Sequence, residues 1–99
     1  TERTVFMPLE LTTKARLLSR PEPEFTEAAL NARVSGTIVL RAVFAADGTV
    51  QNILVLRSLP YGLTERAVKA ARKIKFVPAT KDGRSVSQFI QIEYNFHLN

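Results

Sequence analysis

The last segment of the chain carries the strongest structural pattern in the sequence. From Val86 onward, apolar and polar residues alternate with a period of two, with Phe89 as the exception. This pattern is typical of a β-strand with one buried face and one face in water. The apolar positions are Val86, Ile90, Ile92, Tyr94, Phe96 and Leu98. The polar face of this predicted C-terminal strand includes Gln91, Glu93, Asn95 and His97.

The length of this strand limits how it can fit into the domain. The segment 86–98 extends about 43 Å at ~3.3 Å per residue, whereas a domain of 99 residues is roughly 33 Å across. Part of the strand therefore overhangs its partners, bends, or pairs with another segment. An exposed strand edge offers unused N–H and C=O groups, so we expect this edge to accept a strand from another chain. The alternatives are pairing with a second copy, or an ordinary edge strand that the N-terminal arm covers.

The residues before this strand predict a hairpin and two helices. Two β-branched, apolar runs flank Asp47-Gly48, a tight-turn signal because both residues reach φ > 0 readily. The first run is apolar on both faces, which suits a central strand. A short helix is predicted over 27–33 with Thr26 as its N-cap, and a second helix begins after Thr64 as its N-cap. A hairpin followed by a helix and a strand favours an antiparallel sheet with helices on one side.

We therefore predict an α+β domain with a small antiparallel three-stranded sheet and two helices packed on one face. The element order is βαββαβ-like, with an N-terminal arm in the first position. In the sheet the second strand, the first strand and the C-terminal strand follow in that order, so the C-terminal strand lies at an edge. Residues 1–18 are predicted to be the arm or the end of a linker, and residues 19–99 the domain.

Composition argues against several classes of site. The chain has no Cys and a single histidine, His97, so a disulfide framework, a thiolate site and a His-rich metal site are not expected. No acid–base pair or metal constellation can be assembled, and we predict neither an enzyme nor a cofactor. No run approaches the ~18 apolar residues of a membrane span. The chain begins at Thr1 rather than at Met, which suggests a processed chain or a piece of a longer protein.

The net charge of +5 is concentrated in and after the second predicted helix. A solvated helix face is the usual reason for such a cluster, and attraction to an acidic partner or an anionic surface is the functional alternative. The sequence lacks a Gly-rich phosphate loop and a strand pair with exposed aromatic residues, so no nucleic-acid partner is predicted. The clustered cations are Arg66, Lys69, Arg72, Lys73, Lys75, Lys81 and Arg84.

An ordered set of residues over most of the chain carries a family resemblance. These marks are Pro23-Glu24-Phe25, Gly36, Asp47-Gly48, Ser58, Phe76-Val77-Pro78-Ala79, Gly83, Tyr94 and Phe96. Each mark is unspecific alone, but the set in this order resembles the TonB C-terminal domain family from about Leu18 to Leu98.

The resemblance implies a function in energy transduction. Such domains lie in the periplasm and are anchored to the inner membrane by an N-terminal helix that works with the ExbB–ExbD complex. They bind the TonB box of outer-membrane transporters by strand addition at the C-terminal strand, and they transmit proton-motive energy for nutrient uptake. No catalytic residues are implied. The alternative is a TonB-like protein-interaction module of a signalling or envelope-assembly protein.

The resemblance also implies where partners bind. The family often has Gln-Pro-x-Tyr-Pro where this chain has Glu22-Pro23-Glu24-Phe25-Thr26. Phe25 keeps the ring without the hydroxyl and is expected to fill the core, whereas Glu22 and Glu24 are expected at the margin of the site. The predicted partner-binding residues are Glu22, Pro23, Glu24, Phe25, Gln91, Glu93, Asn95 and His97.

Overall fold

The computed structural model describes residues 5–98, so residues 1–4 of the predicted arm and Asn99 lie outside the described part. Neither helix in this part combines the length and hydropathy that crossing a membrane requires. A single 3₁₀ turn spans Pro8–Glu10. The strands of the described part are β1 (Val5–Phe6), β2 (Arg16–Ser19), β3 (Gly36–Phe44), β4 (Val50–Arg57), β5 (Lys75–Val77), β6 (Ala79–Lys81) and β7 (Arg84–Phe96), and its helices are α1 (Glu27–Asn31) and α2 (Leu63–Arg72).

The three long strands form the centre of the main sheet in the predicted order. β3 pairs antiparallel with β7 along its whole length, from Gly36 opposite Phe96 to Phe44 opposite Gln88. β4 lies antiparallel on the other side of β3, so the order is β4-β3-β7. The predicted α+β fold is therefore confirmed. The predicted edge position holds only beyond Gln88, because β1 lies on the other side of β7 at Ser87 and Gln88.

Two short segments enlarge the sheet beyond the three strands that the sequence predicted. β1 pairs with β7 in parallel, with Val5 opposite Ser87 and Phe6 opposite Gln88. β6 pairs antiparallel with the first residues of β7, while β2 and β5 form a separate two-stranded sheet. The main sheet is thus mixed rather than purely antiparallel, because the N-terminal arm contributes a strand of its own.

The core lies between one face of the main sheet and the two helices. Alternate residues of β3 and β7 point to this face, since successive side chains of a strand point to opposite sides. Burying one large apolar side chain of this kind contributes about 1.5–3 kcal/mol. At one end of the core the rings of Phe44 and Phe76 stack with centroids 4.2 Å apart. Core residues of the sheet and helices include Ile38, Leu40, Ala42, Phe44, Ile92, Tyr94, Phe96, Ala29, Leu63, Ala67 and Ala71.

The two Asp-Gly pairs form different turns. At Asp82-Gly83, φ is positive at both residues (52° and 81°), as in the two-residue hairpin turn that links β6 to β7. At the first pair, φ is positive only at Gly48 (90°), and the Ala45 N–H donates to the Thr49 carbonyl at 2.9 Å. The predicted hairpin between β3 and β4 is present, but its loop is one residue longer than the Asp-Gly pair alone would make it.

One of the two predicted helix caps is correct. The Thr26 hydroxyl accepts a hydrogen bond from the Ala29 N–H at 3.1 Å and caps α1, which ends at Asn31, two residues before the predicted end. Thr64 is not the N-cap of α2, because the helix begins at Leu63. The Thr64 hydroxyl instead donates to the Leu59 carbonyl at 2.8 Å and accepts from the Leu59 N–H at 2.9 Å. It closes the loop that leads into the helix.

Candidate docking edge of the C-terminal strand

The outer side of β7, away from β3, is paired only near its start. There β1 pairs with Ser87 and Gln88, whereas β6 pairs with Arg84 to Val86, ahead of the stretch that β3 pairs with. Beyond that point, no strand within residues 5–98 lies on the outer side of positions 89–96. The unpaired stretch is called the docking edge below.

The hairpin fixes which backbone groups point outward from this edge. The Ala45 N–H faces β4 because it bonds to Thr49, and backbone groups in an antiparallel pair alternate between facing the partner and facing away. Even-numbered residues of β3 therefore face β7, and the register places Ile38 opposite Tyr94. The even-numbered residues of β7 consequently face β3. The N–H and C=O groups of the odd-numbered residues, from Phe89 to Asn95, point to the outside.

Three of the four predicted site residues on the last strand lie on the docking edge. Gln91, Glu93 and Asn95 are exposed, and the Gln91 amide donates to the Glu93 carboxylate at 3.2 Å. The Asn95 Oδ1 accepts from the Thr37 hydroxyl at 2.7 Å, which holds this side chain against β3. His97 is exposed but follows the end of β7 at Phe96, so it lies beyond the strand.

Arg20 contacts the docking edge, and it was not among the predicted site residues. Its guanidinium donates to the Glu93 carbonyl and lies over the ring of Tyr94, 4.6 Å from the centroid. The Glu22 carboxylate lies 3.6 Å from the Arg20 Nε. A contact between a side chain and a carbonyl 73 positions apart leaves no periodic signal in the sequence, so pattern analysis could not find it.

The ring beneath Arg20 carries a buried hydroxyl. Tyr94 is 0% exposed, and its hydroxyl has no hydrogen-bond partner in the described part of the chain. Burial raises the pKa of Tyr94, and the positive charge of Arg20 acts in the opposite direction. The edge thus combines an outward-pointing main-chain acceptor, a cation that binds it and a buried hydroxyl that donates to no group of the described residues.

The segment from Pro21 to Phe25 runs between α2 and the end of β7. Phe25 is partly buried and packs against Phe96, as expected for a core residue. Glu24 pairs with Arg66 of α2 at 3.7 Å and therefore lies on the helix side rather than at the docking edge. Pro21 to Glu24 form one wall of a groove of about 490 Å³, and α2 forms the other wall with Arg66, Lys69, Ala70 and Lys73.

The N-terminal arm is fixed to the β6–β7 hairpin. The Ala15 N–H donates to the side-chain oxygen of the buried Gln88 at 2.8 Å. The Lys81 ammonium donates to the Glu10 carbonyl at 2.8 Å and lies 5.1 Å from the ring centroid of Phe6. The arm therefore covers the start of the outer side of β7 and leaves it before the docking edge begins.

The described part of the chain contains no group of three or more His, Asp or Glu residues that could hold a metal ion. The chemistry that the edge offers is hydrogen bonding by main-chain groups, modulated by Arg20, Glu22 and Glu93.

Comparison with known proteins identifies the family. A model of the Gram-negative bacterial TonB protein C-terminal domain matches residues 21–98. The chain is 31% identical over 86 residues to protein tonB2 of Pseudomonas aeruginosa, covering 86% of this chain and 32% of that protein. It is 35% identical over 78 residues to protein TonB of Xanthomonas campestris pv. campestris, covering 78% and 35%. With protein TonB of Escherichia coli it shares 31% identity over 81 residues, covering 81% and 34%.

The fold comparison agrees with the family match. The solution NMR structure of the Pseudomonas aeruginosa TonB CTD superposes with a TM-score of 0.70 at 21% identity, covering 87% of this chain and 88% of that one. The chain spans about a third of the length of the curated relatives that it matches. Because the family model matches residues 21–98 and these relatives are similar over most of the chain, the chain belongs to the family of C-terminal domains of Gram-negative bacterial TonB proteins.

Proposed function

We propose that this domain is the periplasmic part of a TonB-type energy transducer and binds the TonB box of outer-membrane transporters. The box adds as a strand along the docking edge, positions 89–96. The observation that carries the proposal is the unpaired outer side of β7 within the described residues, because an open edge is what strand addition requires. Family membership supports the same function.

The edge is long enough for a short extended segment. Positions 89–96 extend roughly 26 Å at ~3.3 Å per residue. Backbone groups of the odd-numbered residues bind the added strand, so affinity depends little on its side chains. Side chains at the edge then decide which segment is accepted: Gln91, Glu93 and Asn95 on the outer face, with Glu22 and Arg20 beside them. Pro23 and Glu24 belong to the wall of the groove beside α2, and Phe25 packs against Phe96 at the end of β7.

In the whole protein, the part that precedes this domain anchors it to the inner membrane and works with the ExbB–ExbD complex. Force from that complex reaches the transporter through the added strand. Because several hydrogen bonds of a strand pair lie side by side, a pull along the strand loads them together. No catalytic step is part of this proposal.

The test is titration of the isotope-labelled domain with peptides from the periplasmic N-termini of outer-membrane transporters of the same organism. Backbone amides of positions 89–96 are expected to shift, while those of β4, the opposite edge of the sheet, are expected to stay. A folded domain in which no such peptide moves any amide of 89–96 contradicts the proposal. Sedimentation at the same protein concentrations separates peptide binding from pairing with a second copy through β7.

A single substitution sharpens this test. The Gln91 N–H points outward and bonds to no residue of β3, so proline is tolerated there better than at an inward-pointing position. Gln91→Pro removes that outward donor and places a ring against the incoming strand. We expect peptide affinity to fall by about fivefold or more, whereas Gln91→Ala removes only the side chain, keeps the N–H and is expected to lower affinity much less. Equal binding to both variants contradicts strand addition at this edge.

A further inference from the structure

We propose that Arg20 determines which segment the docking edge accepts, by favouring an incoming strand that carries a carboxylate opposite Tyr94, on the face of the sheet where Arg20 lies. This inference rests on the proposed function, because it concerns how the same edge chooses among partners. It starts from the guanidinium bound to the Glu93 carbonyl.

Arg20 occupies space that an added strand needs. Neighbouring strands lie about 4.8 Å apart, and a side-chain nitrogen in hydrogen-bond contact with the outward Glu93 carbonyl lies within that gap. The N–H of an added strand that bonds to this carbonyl must therefore displace the guanidinium. Arg20 competes with every segment that binds the edge, whatever its sequence.

The displaced cation stays close to the added strand. Arg20 directly follows β2, which pairs with β5, so its main chain is held while its side chain moves. In the free domain the only carboxylate that pairs with Arg20 among residues 5–98 is Glu22, at 3.6 Å and 71% exposed. A carboxylate on the added strand offers the planar, two-point acceptor that guanidinium binds best. A neutral strand offers no such replacement, so it binds more weakly.

The Tyr94 hydroxyl adds a second, independent reason to expect a ligand here. This hydroxyl is fully buried, and its O–H donates to no group of the described residues; the nearby Arg20 guanidinium carries only donors and cannot accept from it. Buried polar groups in folded proteins are nearly always paired. The hydroxyl therefore lacks an acceptor, which a group of the added strand could supply once Arg20 moves aside.

Two matched peptides test the inference. A transporter peptide that moves the amides of 89–96 is synthesised with Glu or with Gln at the residue that the spectra place opposite Tyr94. The Glu form is expected to bind the unmodified domain about two- to fivefold more tightly, the range of an exposed ion pair. In Arg20→Ala that preference disappears. In Arg16→Ala, which removes another exposed arginine, in the neighbouring strand β2, the preference is kept.

A measurement without peptide tests the contact itself. Loss of the guanidinium hydrogen bond in Arg20→Ala is expected to shift the carbonyl carbon resonance of Glu93, whereas Arg16→Ala leaves it in place. An unchanged Glu93 resonance, or a Glu preference that survives in Arg20→Ala, overturns the inference while strand addition stands. If no peptide moves any amide of 89–96, the proposed function fails and the inference fails with it.

Discussion

Phe25 lies edge-on against Phe96, with ring centroids 5.3 Å apart and ring planes at 81°. The contact joins the segment before α1 to the last residue of β7. An edge-to-face pair adds about 0.5–1.5 kcal/mol to the free energy that burial alone supplies. This pair therefore holds residues 21–25 beside the end of the docking edge.

Replacing Phe25 by Ala is expected to lower the free energy of unfolding by about 2–3 kcal/mol, since a large, partly buried ring and its partner contact are lost. Urea denaturation measures the change. Leu30→Ala removes a side chain of α1 that is 47% exposed and is expected to cost much less. Equal losses of unfolding free energy in the two variants would contradict a stabilising role of the contact between Phe25 and Phe96.

Gly36 is expected to resist substitution for two separable reasons. Its φ is +151°, and a Cβ built there lies 3.0 Å from the Cδ2 of Leu59. Gly36→Ala should therefore cost about 1–3 kcal/mol of unfolding free energy from backbone strain and crowding. In a double-mutant cycle with Leu59→Ala, the crowding part is relieved and the strain part remains. If the losses of unfolding free energy of the two single variants simply add in the double variant, the steric contact between position 36 and Leu59 is contradicted.

Elements that depend on short-range pattern were predictable from the sequence. The alternation in 86–98 identified β7, the paired apolar runs identified β3 and β4, and Thr26 identified the start of α1. Each of these signals comes from residues within a few positions of one another. The residues of the candidate edge, Gln91, Glu93 and Asn95, followed from the same alternation.

Features that depend on distant pairing were not predictable in this way. β1 pairs with a strand that lies about eighty positions later, and Arg20 reaches a carbonyl on that strand. Neither contact alters the local pattern of polar and apolar residues. The prediction for Thr64 was wrong for a related reason, since backbone N–H groups of the helix and of the preceding loop compete for one hydroxyl oxygen, and only the folded loop decides between them.

The arm limits how far the docking edge extends. Phe6→Asp places a charge where β1 pairs with Gln88 and where the ring meets Lys81. We expect β1 to detach and the amide hydrogens of Ser87 and Phe89 to exchange faster, because outward N–H groups lose their cover. Leu9→Asp is the matched control, since Leu9 is 97% exposed. Unchanged exchange in Phe6→Asp would show that the arm does not protect this part of β7.

Tyr94→Phe is expected to leave stability at neutral pH unchanged or to raise it by up to about 1 kcal/mol. The hydroxyl is buried without a partner among residues 5–98, so its removal costs no hydrogen bond and relieves a desolvated polar group. Urea denaturation of both proteins at pH 7 measures the difference. A loss of more than about 1 kcal/mol in Tyr94→Phe would mean that the hydroxyl contributes a bond to the fold.

The unfolding free energies of the unmodified domain and of Tyr94→Phe are expected to diverge at alkaline pH. Burial raises the pKa of Tyr94 in the folded domain above its ordinary value of about 10. The unfolded chain therefore loses this proton first, and the free energy of unfolding falls as the pH rises above about 10. Below that pH, Tyr94 is protonated in both states and adds no pH dependence. Since Tyr94→Phe has no such group, the unmodified domain should lose stability relative to this variant as the pH rises above about 10. Parallel curves for the two proteins above that pH would contradict burial of the hydroxyl.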